Sequence, residues 1–235
     1  MNVLKLLFAG LILALFALPS LYLLAPDLLL GMAVRVERWN AGLEQDHVQI
    51  PGYRVAYLDS RAAAPPLLLV HGFGGDKDNW IRLAAQLEGE MRIIAPDLPG
   101  FGDSDAPAQG DYSLDAQVDN LHALIERLGL TRVELGGNSM GGNIVARYAA
   151  RHPNRVGSLW LIANSGVAAA PHSELREHIA AGRGNPLVAQ DAAQYRHLLA
   201  WVMAQPPPLP NAFLDVLAAR AVAVRELRQR QFQQL

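Results

Sequence analysis

The sequence predicts an α/β fold, a mostly parallel sheet with helices on both faces, from three observations. Strand-like and helical segments alternate at the spacing of βαβ units between about residues 50 and 166. One strand-like run, Leu67-Leu68-Leu69-Val70, is apolar throughout, as a strand covered on both sides must be. The stretch Gly136-Gly137-Asn138-Ser139-Met140-Gly141-Gly142 joins a short strand-like run, Val133-Glu134-Leu135, to an alanine-rich helical pattern from Ile144 to Arg151. It reads strand, tight turn, helix.

Composition sets the outer bounds. A chain of 235 residues, 51% of them hydrophobic, can bury a sizeable core. Its net charge of −2 and the lack of a basic stripe give no reason to expect a nucleic-acid partner. With no cysteine there are no disulfides, no thiolate catalysis and no zinc–thiolate site. No His/Asp/Glu cluster stands at ligand spacing, so neither a metal nor another cofactor is expected.

Taken in order, the chain opens on an uncharged run from Leu6 to Pro26, preceded by Lys5. At about 1.5 Å per helical residue that run reaches roughly 30 Å, enough to cross a bilayer core. A cleaved signal peptide would need a small-x-small pattern that is missing after Leu15-Phe16-Ala17-Leu18-Pro19, and a buried or amphipathic helix is disfavoured because no polar face is visible. The expectation is an uncleaved signal anchor over residues 1–34, with the following domain on the periplasmic side of a bacterial inner membrane. Arg35 and Arg38, beyond the run, weaken the charge argument for that orientation. Residues 35–46 are expected to be a linker or short helix leading off the membrane, and 47–166 the α/β core.

Within the core, Arg54 to Leu58 reads as a strand and Ala62-Ala63-Ala64-Pro65-Pro66 as its break. The Leu67–Val70 strand follows, then the glycine-rich turn His71-Gly72-Phe73-Gly74-Gly75 at its C-terminal end, the edge where open α/β sheets bind ligands. Asn79 to Leu87 reads as a helix, Met91 to Ala95 as a strand, and Ser113 to Leu128 as an amphipathic helix. The helix after Ser139 is stopped by Pro153, and Val156 to Ala163 reads as one more strand. Residues 167–235 hold helical patterns around Pro206-Pro207-Pro208-Leu209-Pro210 and no convincing buried strand, as expected of a cap-like region over the sheet edge.

The Ser139 turn makes strict demands. Where strand and helix backbones pass this closely there is no room for Cβ atoms, and Gly137 and Gly141 supply the clearance. The helix opening at Met140 points its unpaired N–H groups and the positive end of its dipole at the serine. An oxyanion formed in acyl transfer would be stabilised there. The competing reading, a glycine-rich turn whose serine only caps the helix, does not account for the strand and helix on either side. Asp97, in Asp97-Leu98-Pro99-Gly100-Phe101-Gly102-Asp103-Ser104, is read as an organiser of its own turn rather than a catalytic carboxylate.

Three stretches in this order, His71-Gly72-Phe73-Gly74-Gly75 with Asp76-Lys77-Asp78-Asn79-Trp80, Asp97-Leu98-Pro99-Gly100-Phe101-Gly102, and Gly137-Asn138-Ser139-Met140-Gly141-Gly142, resemble the α/β-hydrolase fold. More narrowly they are similar to membrane-anchored lipases and monoacylglycerol-lipase-like serine esterases. The resemblance covers about residues 50 to 166. It implies that Ser139 is the nucleophile and that the backbone N–H groups of Phe73 and Met140 form the oxyanion hole. It also implies that His71, Gly72, Gly137 and Gly141 shape the two loops, and that the substrate is a lipid-like carboxylic ester. Trp80 and Phe73 are candidates for an acyl pocket, against the alternative that they are simply core. Asn138 stands where many members carry histidine.

A serine of this kind needs a histidine to take its proton and a carboxylate to orient that histidine, in the chain order Ser, Asp or Glu, His. The histidines after Ser139 are His152, His172, His178 and His197, and none follows a late strand. Among the acids there, Glu174, Glu177, Asp191, Asp215 and Glu226 likewise lack the context. The expectation is a chain lacking the last strands of the fold, with weak activity or none. Amide, peptide or carbon–carbon bond hydrolysis on the same elbow, and a non-catalytic membrane-tethered binding module, stay open as alternatives.

Overall fold

The structure, a computed structural model, describes residues 18–167, 169 and 173–235. The first half of the expected anchor therefore lies outside the described residues, as does His172. Among the described residues no helix is long and apolar enough to cross a membrane.

Six strands form one sheet in the order β1-β2-β4-β3-β5-β6. They are β1 (Glu44–Ile50), β2 (Tyr53–Asp59), β3 (Pro66–Val70), β4 (Arg92–Pro96), β5 (Val133–Asn138) and β6 (Val156–Ile162). β1 and β2 pair antiparallel, as do β2 and β4; the pairs β3·β4, β3·β5 and β5·β6 are parallel. The mostly parallel sheet is thus as the sequence predicts, with an antiparallel hairpin added at one edge.

The helices that position the site follow their sequence signals. Lys77–Trp80 forms a 3-10 turn that runs into α2 (Ile81–Gln86). The amphipathic helix α3 (Leu114–Arg127) is capped by Ser113, whose side chain accepts the Ala116 N–H at 3.3 Å. Helix α4 (Met140–Arg151) begins directly after Ser139 and stops before Pro153. Val118, Leu121, Leu124 and Ile125 of α3 join Ile144, Val145 and Tyr148 of α4 and Leu68, Val70, Ile94 and Leu135 of the sheet in one buried core. Each such side chain contributes on the order of 1.5–3 kcal/mol by leaving water. Leu67 and Leu69, which alternate with Leu68 and Val70 along β3, are also fully buried, so both faces of the central strand are covered.

Helix α1 (Pro26–Asn40) runs through the segment read as the end of an anchor followed by a linker or short helix. One segment differs from expectation. β1 begins at Glu44, inside the expected linker, although Glu-Gln-Asp-His-Val-Gln-Ile is mostly polar. It is an edge strand whose one fully buried side chain is Ile50, and its pairing with β2 supplies what its composition does not.

The chain divides into two compact units. One takes Glu37–Gly184 with Glu226–Leu235 and contains the sheet. The last ten residues therefore group with the sheet, as do the described residues of 167–184, while Asn185–Arg225 of the cap-like region does not. The other takes the described residues up to Val36 with Asn185–Arg225. It contains α6 (Ala192–Val202) and α7 (Asn211–Ala223), tied by Arg196–Asp215 at 2.6 Å, and Arg220 pairs with Asp27 at 2.5 Å. Glu174–Ala180 forms α5 and Arg225–Gln233 forms α8.

Candidate active site

β3 and β5 are neighbours, but the chain leaves β3 toward β4 on one side and leaves β5 toward β6 on the other. Connections that diverge in this way open a crevice at the strands' C-terminal ends. His71–Gly75 follows β3 and Ser139 follows β5, so the topology alone brings the two glycine-rich stretches together.

Ser139 has φ +51° and ψ −115°, a conformation that costs a residue with a side chain on the order of 1–3 kcal/mol and persists only where its surroundings enforce it. Its N–H donates to the Ile162 carbonyl at 3.0 Å, and its carbonyl accepts from Asn143 and Ser165 at 3.2 and 3.0 Å. Asn138 adds a side-chain bond to the same Ile162 carbonyl at 3.2 Å. The end of β6 thus braces the turn.

The glycines flanking Ser139 are there for clearance. A Cβ on Gly137 would lie 2.5 Å from the Gly141 carbonyl carbon and 2.6 Å from the Gly142 nitrogen. One on Gly141 would lie 2.5 Å from the His71 oxygen and 2.8 Å from the Val70 carbonyl carbon. Gly72 sits against the turn from the other side: a Cβ there would be 3.3 Å from the Ser139 Cβ. Neither the Phe73 nor the Met140 N–H donates to an acceptor among the described residues. Both remain available to a ligand, one beside Gly72 and the other at the N-terminus of α4.

His71 is fully buried. Its Nδ1 lies 2.8 Å from the Gly72 carbonyl and its Nε2 3.1 Å from the Leu98 nitrogen. A carbonyl can only accept and an N–H can only donate, which fixes a neutral ring with the proton on Nδ1. Burial holds its pKa below the usual histidine range. With its lone pair already committed to Leu98, His71 ties the Gly72–Phe73 loop to the Leu98–Phe101 loop and has no capacity to serve as a base for Ser139.

Asp97 organises the second loop and does not face the serine. Its carboxylate accepts the Lys77 N–H, the Lys77 ammonium and the Asp103 N–H, each at 2.7 Å. Lys77 also pairs with Asp103 at 2.7 Å. Burial works against the Lys77 charge, but Asp97 and Asp103 outweigh it and raise its pKa above the ordinary value. Asp78 is held in turn by a bidentate pair from Arg38 at 2.6 and 2.6 Å.

The remaining candidates fall elsewhere. His152 stacks on His122 with ring centroids 4.3 Å apart at the far end of α4, roughly 20 Å along the helix from Ser139. Asp191 caps α6 through the Gln194 N–H, and Asp215 pairs with Arg196. The Ser139 hydroxyl has no hydrogen-bond partner among the described residues. Trp80 is 6% exposed and belongs to the core, while Phe73 is half-buried between the rings of Phe101 and Phe232 at 6.0 and 5.4 Å. A shallow cavity of about 520 Å³ lined by Pro66, Arg92 and Arg132 lies at the opposite, N-terminal edge of the strands. Among the described residues no group of three or more His, Asp or Glu side chains could hold a metal ion.

Sequence reasoning missed the part played by the last residues. Arg228 and Gln231 both donate to the Gly100 carbonyl, at 2.7 and 3.0 Å, and Gln234 accepts the Tyr112 N–H at 2.7 Å. Nothing in the sequence links positions more than a hundred residues apart.

A sequence profile described as the alpha/beta hydrolase fold matches residues 65–197. The chain belongs to the α/β-hydrolase fold family. Among the curated members of this family it is similar to Lipase 1 of Psychrobacter immobilis, 38% identical over 86% of this chain and 64% of that one. Lipase 3 of a Moraxella species is 36% identical with the same coverage. The chain therefore spans 64% of the length of these curated relatives. Among solved α/β-hydrolases, a membrane phospholipase A described as a bacterial virulence factor superimposes with a TM-score of 0.88 at 43% identity, covering 98% of this chain and 74% of that one.

Proposed function

We propose that this α/β-hydrolase cleaves lipid-like carboxylic esters through an acyl-enzyme on Ser139. The observation that carries the reading is the strained Ser139 turn between Gly137 and Gly141, with two uncommitted backbone N–H groups, of Phe73 and Met140, on either side of it. In this scheme the Ser139 oxygen bonds to the ester carbonyl carbon while its proton passes to water. The resulting oxyanion is held by the Phe73 and Met140 N–H groups. The carbon–oxygen bond to the alcohol then breaks, with a proton delivered to the departing oxygen, and water releases the acid from Ser139. The lipases and the phospholipase A to which the chain is similar support a lipid ester as substrate.

Because Ser139 has no hydrogen-bonded base among the described residues, the 235-residue chain is proposed to be a weak catalyst. With water taking the Ser139 proton in place of a triad base, most of a full triad's roughly 10⁶-fold gain is lost. Slow hydrolysis of p-nitrophenyl butyrate that disappears in Ser139→Ala is the expected result. An unchanged rate in Ser139→Ala would sink the reading.

Leu6–Pro26 is proposed to anchor the protein to a bacterial inner membrane with the hydrolase domain on the periplasmic side. The uncharged run behind Lys5 and the likeness to a membrane phospholipase support it. Carbonate washing of membranes should retain the whole chain and release a version starting at Asp27; release of both would contradict the anchor.

A further inference from the structure

Arg228, on α8, is a cation with no ion-pair partner among the described residues. Its Nη1 donates to the Gly100 carbonyl at 2.7 Å and to Gln231 Oε1 at 2.6 Å, which uses both hydrogens of that nitrogen. Its guanidinium carbon lies 4.3 Å from the centroid of the Phe101 ring. The other three hydrogens, on Nε and Nη2, meet no acceptor among the described residues, and no carboxylate pairs with the group. Residues 1–17, 168 and 170–172 contain no Asp or Glu, so no carboxylate side chain of this sequence is left as a hidden partner. Nor are Nε and Nη2 among the polar atoms sealed from solvent. Arg228 turns one edge into the fold and leaves the other open.

The open edge is the one with which this protein binds carboxylates elsewhere. Arg38 uses Nε and Nη2 to hold Asp78, at 2.6 and 2.6 Å, and Arg92 uses the same pair to hold Asp59, at 3.0 and 2.6 Å. Such a planar fork matches two oxygens of a carboxylate or phosphate. Burial lowers the Arg228 pKa to about 10, against opposing contributions from Tyr112 and Asp76. A bound anion would offset that desolvation.

The surroundings of the fork are apolar. Phe101, beneath the guanidinium, meets the rings of His71 and Phe73 at 5.2 and 6.0 Å, and Phe73 meets Phe232 at 5.4 Å. Phe73 and Phe232 are only partly buried, which leaves aromatic surface next to a charged fork.

We propose that the open edge of Arg228 is an anion-recognition point beside the Phe73 and Phe232 rings, taking a carboxylate or phosphate carried on an apolar chain. This goes beyond ester cleavage at Ser139 and does not require it. Calorimetric titration of the 235-residue chain with hexyl phosphate, hexanoate, inorganic phosphate and 1-hexanol tests it. Hexyl phosphate and hexanoate should bind, and inorganic phosphate and 1-hexanol should bind roughly tenfold more weakly or worse, since each lacks one half of the recognition. Arg228→Gln should weaken both amphiphiles by about tenfold or more, with Arg228→Lys in between. Equal binding of hexyl phosphate by wild type and Arg228→Gln would overturn the assignment. Inorganic phosphate binding as tightly as hexyl phosphate would overturn the apolar half. Should Arg228→Gln fail to fold, phenylglyoxal footprinting of the unaltered chain decides: hexyl phosphate should protect Arg228, and full modification at saturating ligand would refute the site. These experiments read binding rather than turnover, so their failure leaves the Ser139 chemistry standing, and the converse holds.

Discussion

At the level of single residues, neighbours rather than residue type decide what each polar group does. His71 stands beside the candidate nucleophile and yet is committed at both ring nitrogens, to Gly72 and Leu98. Asp76 accepts the Asp78 N–H at 2.9 Å and caps the 3-10 turn after the Phe73 loop. Burial first, and then Asp78 and Asp97, push its pKa up to about 6, with Lys77 opposing. The folded protein therefore holds this proton more tightly than the unfolded chain, whose Asp titrates near about 4. Its contribution to stability is full below about pH 4 and is lost as pH rises through 6, at a cost of up to about 3 kcal/mol. Asp76→Asn keeps the capping oxygen without the charge. It is expected to raise stability by about 1–3 kcal/mol at pH 8 and to leave it nearly unchanged at pH 4, read by urea unfolding at the two values. Destabilisation at pH 8 would show that the charge is needed there.

At the level of elements, the turn from β5 to α4 exists because two backbones touch. Gly137→Ala or Gly141→Ala would force them apart, at an expected loss of about 3 kcal/mol or more in denaturant unfolding. A folded Gly137→Ala protein of unchanged midpoint would contradict the packing. The loop after β4 depends on Lys77, and Lys77→Met would strand Asp97 as a buried charge. That should cost about 3–5 kcal/mol by the same measurement, and a loss below about 1 kcal/mol would show that water or another group replaces the ammonium. These elements differ in how far the sequence disclosed them. The Leu67–Val70 strand and the glycine turn were legible because their signals are local: an apolar run, and side chains missing where backbones meet. β1 was not, since a polar edge strand owes its pairing to β2 and its burial to Ile50 alone. Lys77–Asp97 and Arg38–Asp78 join charges 20 and 40 residues apart, and no local pattern selects those partners from the other charges.

For the whole molecule, strand order does what motifs do only in part. The divergence of the chain at β3 and β5 places two loops, some 65 residues apart in sequence by about the length of two βαβ units, at one crevice. The membership in the α/β-hydrolase family agrees with the mostly parallel sheet. What was least legible is the docking of residues 226–235 onto the Gly100 loop, because it rests on two carbonyl bonds and ring contacts made across more than a hundred residues. The reading of Ser139 as the reacting group is tested by exposing the chain to a fluorophosphonate and mapping the adduct by peptide mass spectrometry. A slow adduct on Ser139, absent from Ser139→Ala, is the expected result. An adduct on another residue, or equal labelling of Ser139→Ala, would contradict it.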